Sequence, residues 1–561
     1  MKTTFTYDHY YLQDEIKLHI QQLKANFPSL LSYESLLETP DGHHIFAATL
    51  TNQATGAACD KPAFYIDGNT HAGEVTGMMA AMHTMDYLLT NYGTDEKATF
   101  ILDHLAVYII PCVSPDGSQT YLTTPYTLRS VNRPYYEKES GLEEEDIDGD
   151  GVIRMMRIKD ANGAWKKDPQ KKDLMIRRKP DDVCGDFYSI YSEGLLGSFD
   201  GLNIPINQEK WGRDFNRNYP YGWFPEARQP GAGEYPLCNP ENKAIVEFIL
   251  AHPNIGSVAT NHTSGGILLT VPGTYPEKKA SKQDMKLMHL LADMGTEVTG
   301  YKHINIFDSF MIDQTNYSSG AFDDFCYETQ GLYAMTLELW DLDLRCGIKH
   351  FWEADPRVNT EMEDFSKRLA WIQENADPED FLPWSEFEHP QLGKVELGGF
   401  NYKFTIQNPP RHLLQQECEK ITAYMVRWAQ AMPRLTIDDI RLNDLGNDMY
   451  QIEAVISNAG FLPTYLSQKA QQLKISKPVL VSLDSDKGLI CGEQCQNIGD
   501  LSSYGLCNTS THFYGNIVTG NSEAVSKKVS WIFRGKRDQI TVTAATPKGG
   551  KVSRTIFLRE C

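Results

Sequence analysis

Hydrophobic and polar residues alternate along the chain in two different periods. Residues 63–66 and 105–110 are short, continuous apolar runs ended by turn residues, which is typical of buried strands. Between them, apolar residues recur at helical spacing over 75–89. Helical spacing also predicts helices at 16–27, 244–250, 284–294 and 417–431, and similar apolar runs predict strands at 255–260 and 332–339. Strands that alternate with helices in this way predict an α/β domain with a mixed, mostly parallel sheet flanked by helices.

The pattern changes after Pro433. Short alternating segments follow one another, separated by turn signals, at 452–456, 473–475, 479–481 and 540–544. Strands of this kind at this density predict a β-sandwich, of immunoglobulin-like type. The chain is therefore divided into a domain over 1–432 and a β-sandwich over 433–561.

A long polar insertion interrupts the first domain at about 134–210. Its charges are segregated, with an acidic run over 137–150 and a basic run over 166–179. A segment of this length inside a compact domain is functional or carries a small structure of its own.

Composition and charge exclude several classes of protein. Hydrophobic residues make up 41% of the 561 residues, as in globular proteins, and the formal net charge is −21, which disfavours nucleic acid as a partner. No apolar run is long enough to span a membrane. The first residues lack the apolar core of a secretory signal, so a cytoplasmic location is expected, with secretion after removal of a leader left open. The oligomeric state is not indicated.

Three segments place metal-binding or catalytic residue types at the ends of predicted strands. His71 and Glu74 form a His-x-x-Glu pair between a strand and a helix, and His262 follows another strand. Zinc is bound by such imidazole and carboxylate groups, although each of these signals is weak alone. Glu338 stands in an otherwise apolar strand, where a carboxylate is costly to bury unless it is paired or protonated, so it is either a general base or a buried ion-pair partner.

Taken together, these residues resemble, in this order, the zinc ligands and general base of the funnelin-type metallocarboxypeptidases, relatives of carboxypeptidase A in peptidase family M14. Further motifs similar to that family's are Ser114-Pro-Asp-Gly117 followed by Arg129, Arg213-Asp-Phe-Asn216-Arg217-Asn218-Tyr219, and Tyr317-Ser-Ser-Gly320-Ala-Phe-Asp-Asp324. The resemblance covers roughly residues 8–432 and leaves the C-terminal segment outside.

The resemblance implies one zinc ion per chain, held by His71, Glu74 and His262. It also implies hydrolysis of the C-terminal peptide bond of peptides by a zinc-activated water, with Glu338 as general base. Arg129 would stabilise the developing oxyanion, although Arg133 is an alternative for that role.

The resemblance also implies a site for a substrate with a free terminal carboxylate. Asn216 and Arg217 would bind that carboxylate, since a guanidinium can grip it with two hydrogen bonds. Tyr317 would close over the site. Asp323 aligns near the base of the specificity pocket, with Asp324 adjacent, and we hypothesise a preference for basic terminal residues.

The acidic part of the insertion resembles the first half of a calcium-binding loop. Asp146, Asp148 and Asp150 alternate before Gly151, but Arg157 occupies the twelfth position, where such loops carry glutamate. Either another segment completes a calcium shell or this is an acidic turn.

Two other functions share these signals. A zinc amidohydrolase on the same scaffold would act on cell-wall peptides or N-acyl amino acids and would use the same type of zinc site. An inactive binding protein would be expected to have lost a zinc ligand or the general base, and this chain has all four residues.

Overall fold

A computed structural model describes residues 5–131, 133, 139–207, 212–311, 315, 317–350, 352–353, 359–511, 517–520, 523–535 and 539–557. Both ends of the predicted insertion, at 134 and 210, lie outside these residues. The helices are α1 Gln13–Asn26, α2 Val75–Thr90, α3 Glu96–His104, α4 Pro115–Thr123, α5 Pro240–Ala251, α6 Lys282–Thr299, α7 Phe322–Gln330, α8 Leu342–Arg345, α9 Glu361–Asn375, α10 Arg411–Ala429 and α11 Gln468–Gln472. No described helix combines the length and apolarity needed to cross a bilayer.

The strands before residue 401 build the α/β part of the molecule. They are β1 Leu31–Glu38, β2 His44–Leu50, β3 Ala63–Gly68, β4 Ala106–Ile110, β5 Leu142–Glu144, β6 Met155–Lys159, β7 Trp165–Lys167, β8 Met175–Arg177, β9 Tyr188–Ser192, β10 Gly194–Leu196, β11 Ile255–Thr263, β12 Ile267–Thr270, β13 Lys302–Asn305, β14 Tyr333–Leu339, β15 Phe381–His389 and β16 Gly393–Phe400.

An eight-stranded mixed sheet in the order β1-β2-β4-β3-β11-β14-β12-β13 forms the centre of this part. Its middle strands β4, β3, β11 and β14 run parallel, and β1, β2 and β12 add antiparallel pairs. Strands β3, β4 and β11 are buried along their whole length, which is why they appear in the sequence as continuous apolar or small-residue runs. The helix and strand predictions for the α/β part are confirmed.

The insertion carries a sheet of its own, and a second segment completes it. Strands β6, β7, β8 and β9 combine with β15 and β16 in a six-stranded sheet. A cleft of about 300 Å³ lies at one end of this sheet. Its lining includes Arg154 and Met155 at the start of β6 and Tyr402 just after β16.

The remaining strands form the C-terminal part. They are β17 Leu435–Gly446, β18 Met449–Asn458, β19 Val479–Leu483, β20 Leu489–Cys491, β21 Cys495–Gly499, β22 Asn508–Thr511, β23 Ile517–Gly520, β24 Ser526–Arg534, β25 Gln539–Thr546 and β26 Gly550–Phe557. Two antiparallel four-stranded sheets, β17-β18-β24-β20 and β21-β19-β25-β26, share a hydrophobic core around Trp531, as a β-sandwich does. The strand predicted at 473–475 is wrong, because Leu473 caps the short helix α11.

Candidate active site

The three predicted zinc ligands meet where β3, α2 and β11 adjoin. His71 follows β3, Glu74 immediately precedes α2, and His262 lies near the end of β11. All three are buried, with 3%, 3% and 1% of their surface exposed. Their ligand atoms lie within 4.8 Å of one another, so the structure brings together residues that are far apart in sequence.

Two glycines bring α2 close to the sheet at this point. A Cβ on Gly68 at the end of β3 would collide with the backbone of Gly77 in α2, and a Cβ on Gly77 would collide with the carbonyl oxygen of Asn261 in β11. Asn69 has a left-handed backbone (φ 56°), and its side-chain amide donates to the carbonyl oxygens of His71 and Ala72. This tight turn directs His71 towards β11.

The distances among the ligand atoms fit a small cation. Glu74 Oε1 lies 2.7 Å from His71 Nδ1, Glu74 Oε2 lies 2.8 Å from His262 Nδ1, and the two Nδ1 atoms are 3.1 Å apart. Ligand atoms about 2.0–2.1 Å from a tetrahedral zinc ion would be about 3.3 Å apart. Small side-chain adjustments would therefore admit the ion.

His71 lies between two carboxylates. Its Nε2 is 3.1 Å from Asp214 Oδ1, while its Nδ1 faces Glu74. A carboxylate beside the second ring nitrogen is the usual partner of a metal-ligating histidine, because it orients the ring. Burial by itself raises the pKa of Glu74, but His71 and His262 hold it below its usual range, while Glu74 counters burial and raises the pKa of His262 to about 9.

Glu338 lies beside the ligands on the adjacent strand. In the parallel pairing of β11 and β14 it is opposite His262, and it is the one residue of β14 that is not fully buried. Burial raises the pKa of Glu338 to about 7, and Glu74 adds to the rise, while His262 and Arg129 oppose it. A carboxylate with a pKa near neutrality can both accept and donate a proton at physiological pH.

The two arginines considered for oxyanion stabilisation have different surroundings. Arg129 Nε donates to Asp214 Oδ2 at 2.8 Å, and its Nη1 lies 3.5 Å from Glu74 Oε1. Arg133 instead pairs with the buried carboxylate of Glu241, and its Nη2 lies 3.8 Å from Asp116. Arg129 is therefore in contact with the metal-ligand cluster, whereas Arg133 is held in a separate ion-pair network.

The predicted carboxylate-binding residues lie in a short turn over Phe215–Arg217, partly exposed. Asn216 Oδ1 accepts a hydrogen bond from the backbone of Phe322 at 2.8 Å, which ties this turn to the start of α7. Arg217 donates to the carbonyl oxygen of Asn216 at 2.6 Å. Tyr317 is partly exposed and its ring packs 4.8 Å from that of Phe224.

Asp323 is buried in the first turn of α7. Its Oδ2 accepts a hydrogen bond from Thr336 Oγ1 (2.8 Å) in β14, two residues before Glu338, and its Oδ1 accepts from the Asp324 backbone. Asp324 is buried as well and accepts from the Gly273 backbone at 2.9 Å. Burial, Asp323 and Glu328 raise the pKa of Asp324 well above its usual range. The two aspartates thus form one acidic cluster. From the sequence, Asp323 was assigned to the specificity pocket and Asp324 was noted only as its neighbour.

Two residues that hold the site, Asp214 and Asn408, were not among the predicted site residues. Asp214 contacts His71 and Arg129. It lies within the motif Arg213–Tyr219, so its place in that motif was the signal in the sequence that could have identified it. Asn408 gave no signal: it lies between Gln407 and Pro409, far along the chain, yet its side chain bonds the residues on both sides of Glu74. It donates to the Gly73 carbonyl oxygen (2.7 Å) and accepts from the Thr76 backbone (3.0 Å).

The expectation of calcium at Asp146, Asp148 and Asp150 gains no support. Asp146 accepts hydrogen bonds from two glycine backbones of its own loop, and Asp150 pairs with Arg154 at 2.6 Å. Glu193 approaches Asp146 and Asp148, but its carboxylate already accepts hydrogen bonds from three backbone N–H groups, those of Ile147, Asp148 and Arg154. Hydrogen bonds within the loop and from the loop to Glu193, together with the Arg154 ion pair, therefore account for these carboxylates as an acidic turn.

Comparisons with known proteins bear on the two parts of the chain separately. The model of the zinc carboxypeptidase family, Peptidase_M14, matches residues 16–355, and a domain of unknown function, DUF8731, matches residues 434–557. Rat carboxypeptidase A1 is 22% identical over 348 residues, which is 61% of this chain and 65% of the relative. Mouse carboxypeptidase A2 and the inactive metallocarboxypeptidase ECM14 of Saccharomyces cerevisiae are each 30% identical, over about a fifth of this chain and about a quarter of their own length.

Among solved structures, thrombin activatable fibrinolysis inhibitor aligns with a TM-score of 0.44 at 15% identity, covering 76% of this chain and 75% of that one. The carboxypeptidase A from Helicoverpa armigera aligns with a TM-score of 0.38 at 16% identity, covering 66% and 73%.

Proposed function

The chain belongs to the zinc carboxypeptidase family, and from that premise we propose that it is an active zinc-dependent carboxypeptidase that hydrolyses the C-terminal peptide bond of peptides. The observation that carries the proposal is the position of Glu338. It stands opposite His262 on the neighbouring strand, partly exposed, beside a cluster that fits a zinc ion.

His71, Glu74 and His262 would hold the zinc. When bound there, zinc lowers the pKa of a water molecule and polarises the carbonyl group to be attacked. Glu338 accepts the proton of the attacking water and passes it to the leaving amine, work for which a pKa of about 7 suits it. Arg129 donates to the developing oxyanion from a position fixed by Asp214.

Binding at the substrate end falls to Asn216, Arg217 and Tyr317. The guanidinium of Arg217 and the amide of Asn216 bind the terminal carboxylate, and Tyr317 covers it. An internal peptide bond offers no carboxylate at this position, so the site favours removal of single C-terminal residues.

One relative is named an inactive metallocarboxypeptidase, so membership of the family does not by itself establish activity. The test compares wild type with Glu338→Ala on a panel of blocked dipeptides, with zinc content measured on both. We expect wild type to release the terminal residue, and the variant to keep about one zinc while losing at least about 100-fold in turnover. Zinc binding by both proteins without cleavage of any peptide would contradict the proposal and favour an amidohydrolase acting on acyl or cell-wall amides.

We also propose a preference for basic terminal residues, because the carboxyl groups of Asp323 and Asp324 lie in the first turn of α7, whose first backbone N–H is bonded to Asn216. Peptides ending in Arg, Phe and Glu test it on wild type. The Arg peptide should have the highest kcat/KM, and a faster Phe peptide would refute the preference.

A further inference from the structure

The C-terminal part of the chain docks on two helices of the α/β part, α6 and α7. The docking segment, residues 463–472, leads into and includes α11. The buried carboxylate of Asp284 in α6 accepts hydrogen bonds from the backbones of Gln468 (2.7 Å) and Lys469 (3.0 Å) at the start of α11. Ser467, also buried, donates to the carbonyl oxygen of Gly331 directly after α7 (2.6 Å). Two backbone N–H groups and the Ser467 hydroxyl thus anchor the docking segment and leave the Lys469 side chain to reach α7.

Lys469 forms a shielded ion pair with α7. Its Nζ lies 2.6 Å from Glu328 Oε2, with 19% of the lysine side chain and 4% of the glutamate side chain exposed. The other oxygen of Glu328 accepts a hydrogen bond from Tyr275 (2.6 Å). A buried carboxylate that loses its cation is left with an uncompensated charge, so this pair constrains where α7 can lie.

Helix α7 connects this ion pair to the residues proposed to bind substrate. Its first backbone N–H, on Phe322, holds Asn216 Oδ1, and its first turn carries Asp323 and Asp324. Asp324, one turn before Glu328, bonds the Gly273 backbone, so both carboxylates tie α7 to the loop at 273–275. A shift of α7 would therefore move Asn216 and the acidic cluster together.

We infer that Lys469, in the part of the chain matched by a domain of unknown function, is a positioning residue for substrate binding, acting on Asn216 and Asp323 through Glu328 and α7. This inference rests on the proposed function for its kinetic readout. By this inference, the C-terminal part has a role in the enzyme: it helps to support the substrate pocket.

The test uses the full chain with the variants Lys469→Met and Lys469→Arg. Lys528→Met is the matched control, because Lys528 pairs at 2.6 Å with Glu453 inside the C-terminal part and leaves the docking segment untouched. We expect Lys469→Met to raise KM for a cleaved dipeptide by about tenfold with kcat within about twofold, the signature of weakened substrate binding. Lys469→Arg should recover most of the affinity, and Lys528→Met should match wild type. A variant that only folds less well would lose apparent kcat and keep its KM.

Amide hydrogen exchange across 322–330 gives a readout that needs no activity. Exchange should be faster in Lys469→Met than in wild type or Lys528→Met, and the double variant Lys469→Met/Glu328→Gln should slow it again, because Gln leaves no unpaired charge. If wild type cleaves no peptide, the proposed function fails while the exchange result still decides the positioning role. Unchanged exchange together with an unchanged KM in Lys469→Met would overturn the inference.

Discussion

Asp214 contacts both a proposed zinc ligand and the proposed oxyanion donor, through one oxygen each. It lies 3.1 Å from His71 Nε2 and 2.8 Å from Arg129 Nε. Burial by itself raises the pKa of Asp214, but Arg129 and His71 lower it well below its usual range. Asp214 is therefore ionised across the physiological pH range. A carboxylate in this position fixes the tautomer of the histidine and strengthens it as a ligand.

Replacing Asp214 by Asn should therefore weaken zinc binding. We expect an affinity loss of about 10–100-fold, measured by competition with a chelator of known affinity. Asp116→Asn is the control, since Asp116 is also buried but contacts Thr39, His43 and Arg133, away from the ligands. Equal zinc affinity in Asp214→Asn and wild type would mean that His71 is oriented without this carboxylate.

At this scale the sequence predicted the residues that carry a recognisable pattern. His71, Glu74, His262 and Glu338 could be proposed because their types and order fit one chemistry. Asn408 could not, because an amide that bonds backbone atoms through the fold leaves no pattern in the sequence. The different contacts of Asp323 and Asp324 also needed the structure, since adjacent residues of a helix face different neighbours.

Among the elements, α2 depends on a cap supplied from a distant part of the chain. Glu74 occupies the N-terminal cap position of α2, but its own side chain makes no capping hydrogen bond, since it faces the two histidines. Asn408 accepts from the Thr76 backbone instead and also holds the Gly73 carbonyl oxygen. The cap thus frees Glu74 for the metal while keeping the turn around it fixed.

Asn408→Leu should disturb this turn while keeping the side-chain volume. We expect weaker zinc binding and a Tm lower by about 2–6 °C, since a lost cap and an unpaired buried carbonyl each cost about 1–2 kcal/mol. Asn401→Leu removes a similarly buried amide that bonds Asp380 and the Lys403 backbone. That control should lower the Tm and leave zinc affinity unchanged, whereas equal loss of affinity in both variants would indicate a general effect of destabilisation.

Helices and strands could be predicted where a single hydrophobic period continues over enough residues to identify the element. The helices α2 and α6 and the buried strands β3, β11 and β14 follow from their hydrophobic patterns. The pairing of β16 with β6 does not, because it joins residues more than two hundred positions apart and only the folded sheet brings them into register. The error at 473–475 arose because two apolar residues in alternation also fit the end of a short helix.

On the scale of the whole molecule, the two parts are joined by polar contacts as well as packing. Lys548, in the turn between β25 and β26, donates to the carbonyl oxygen of Ile255 at the start of β11. Burial lowers the pKa of Lys548 to about 7. A strand that carries a proposed zinc ligand is thus held at its other end by a lysine of the C-terminal part.

This lysine predicts how stability depends on pH. The unfolded chain keeps Lys548 protonated up to about pH 10.4, whereas the folded chain releases the proton near pH 7. Between these values the unfolded state binds more protons, so the contribution of Lys548 to stability rises with pH. We expect the Tm of wild type, measured at pH 7 and pH 9, to increase relative to that of Lys548→Met by about 2 °C. The comparison cancels the contribution of Lys61 and Lys403, whose pKa values burial also lowers, to about 8 each. Parallel Tm curves for the two proteins would show that Lys548 remains protonated in the folded state and reaches water around Ile255.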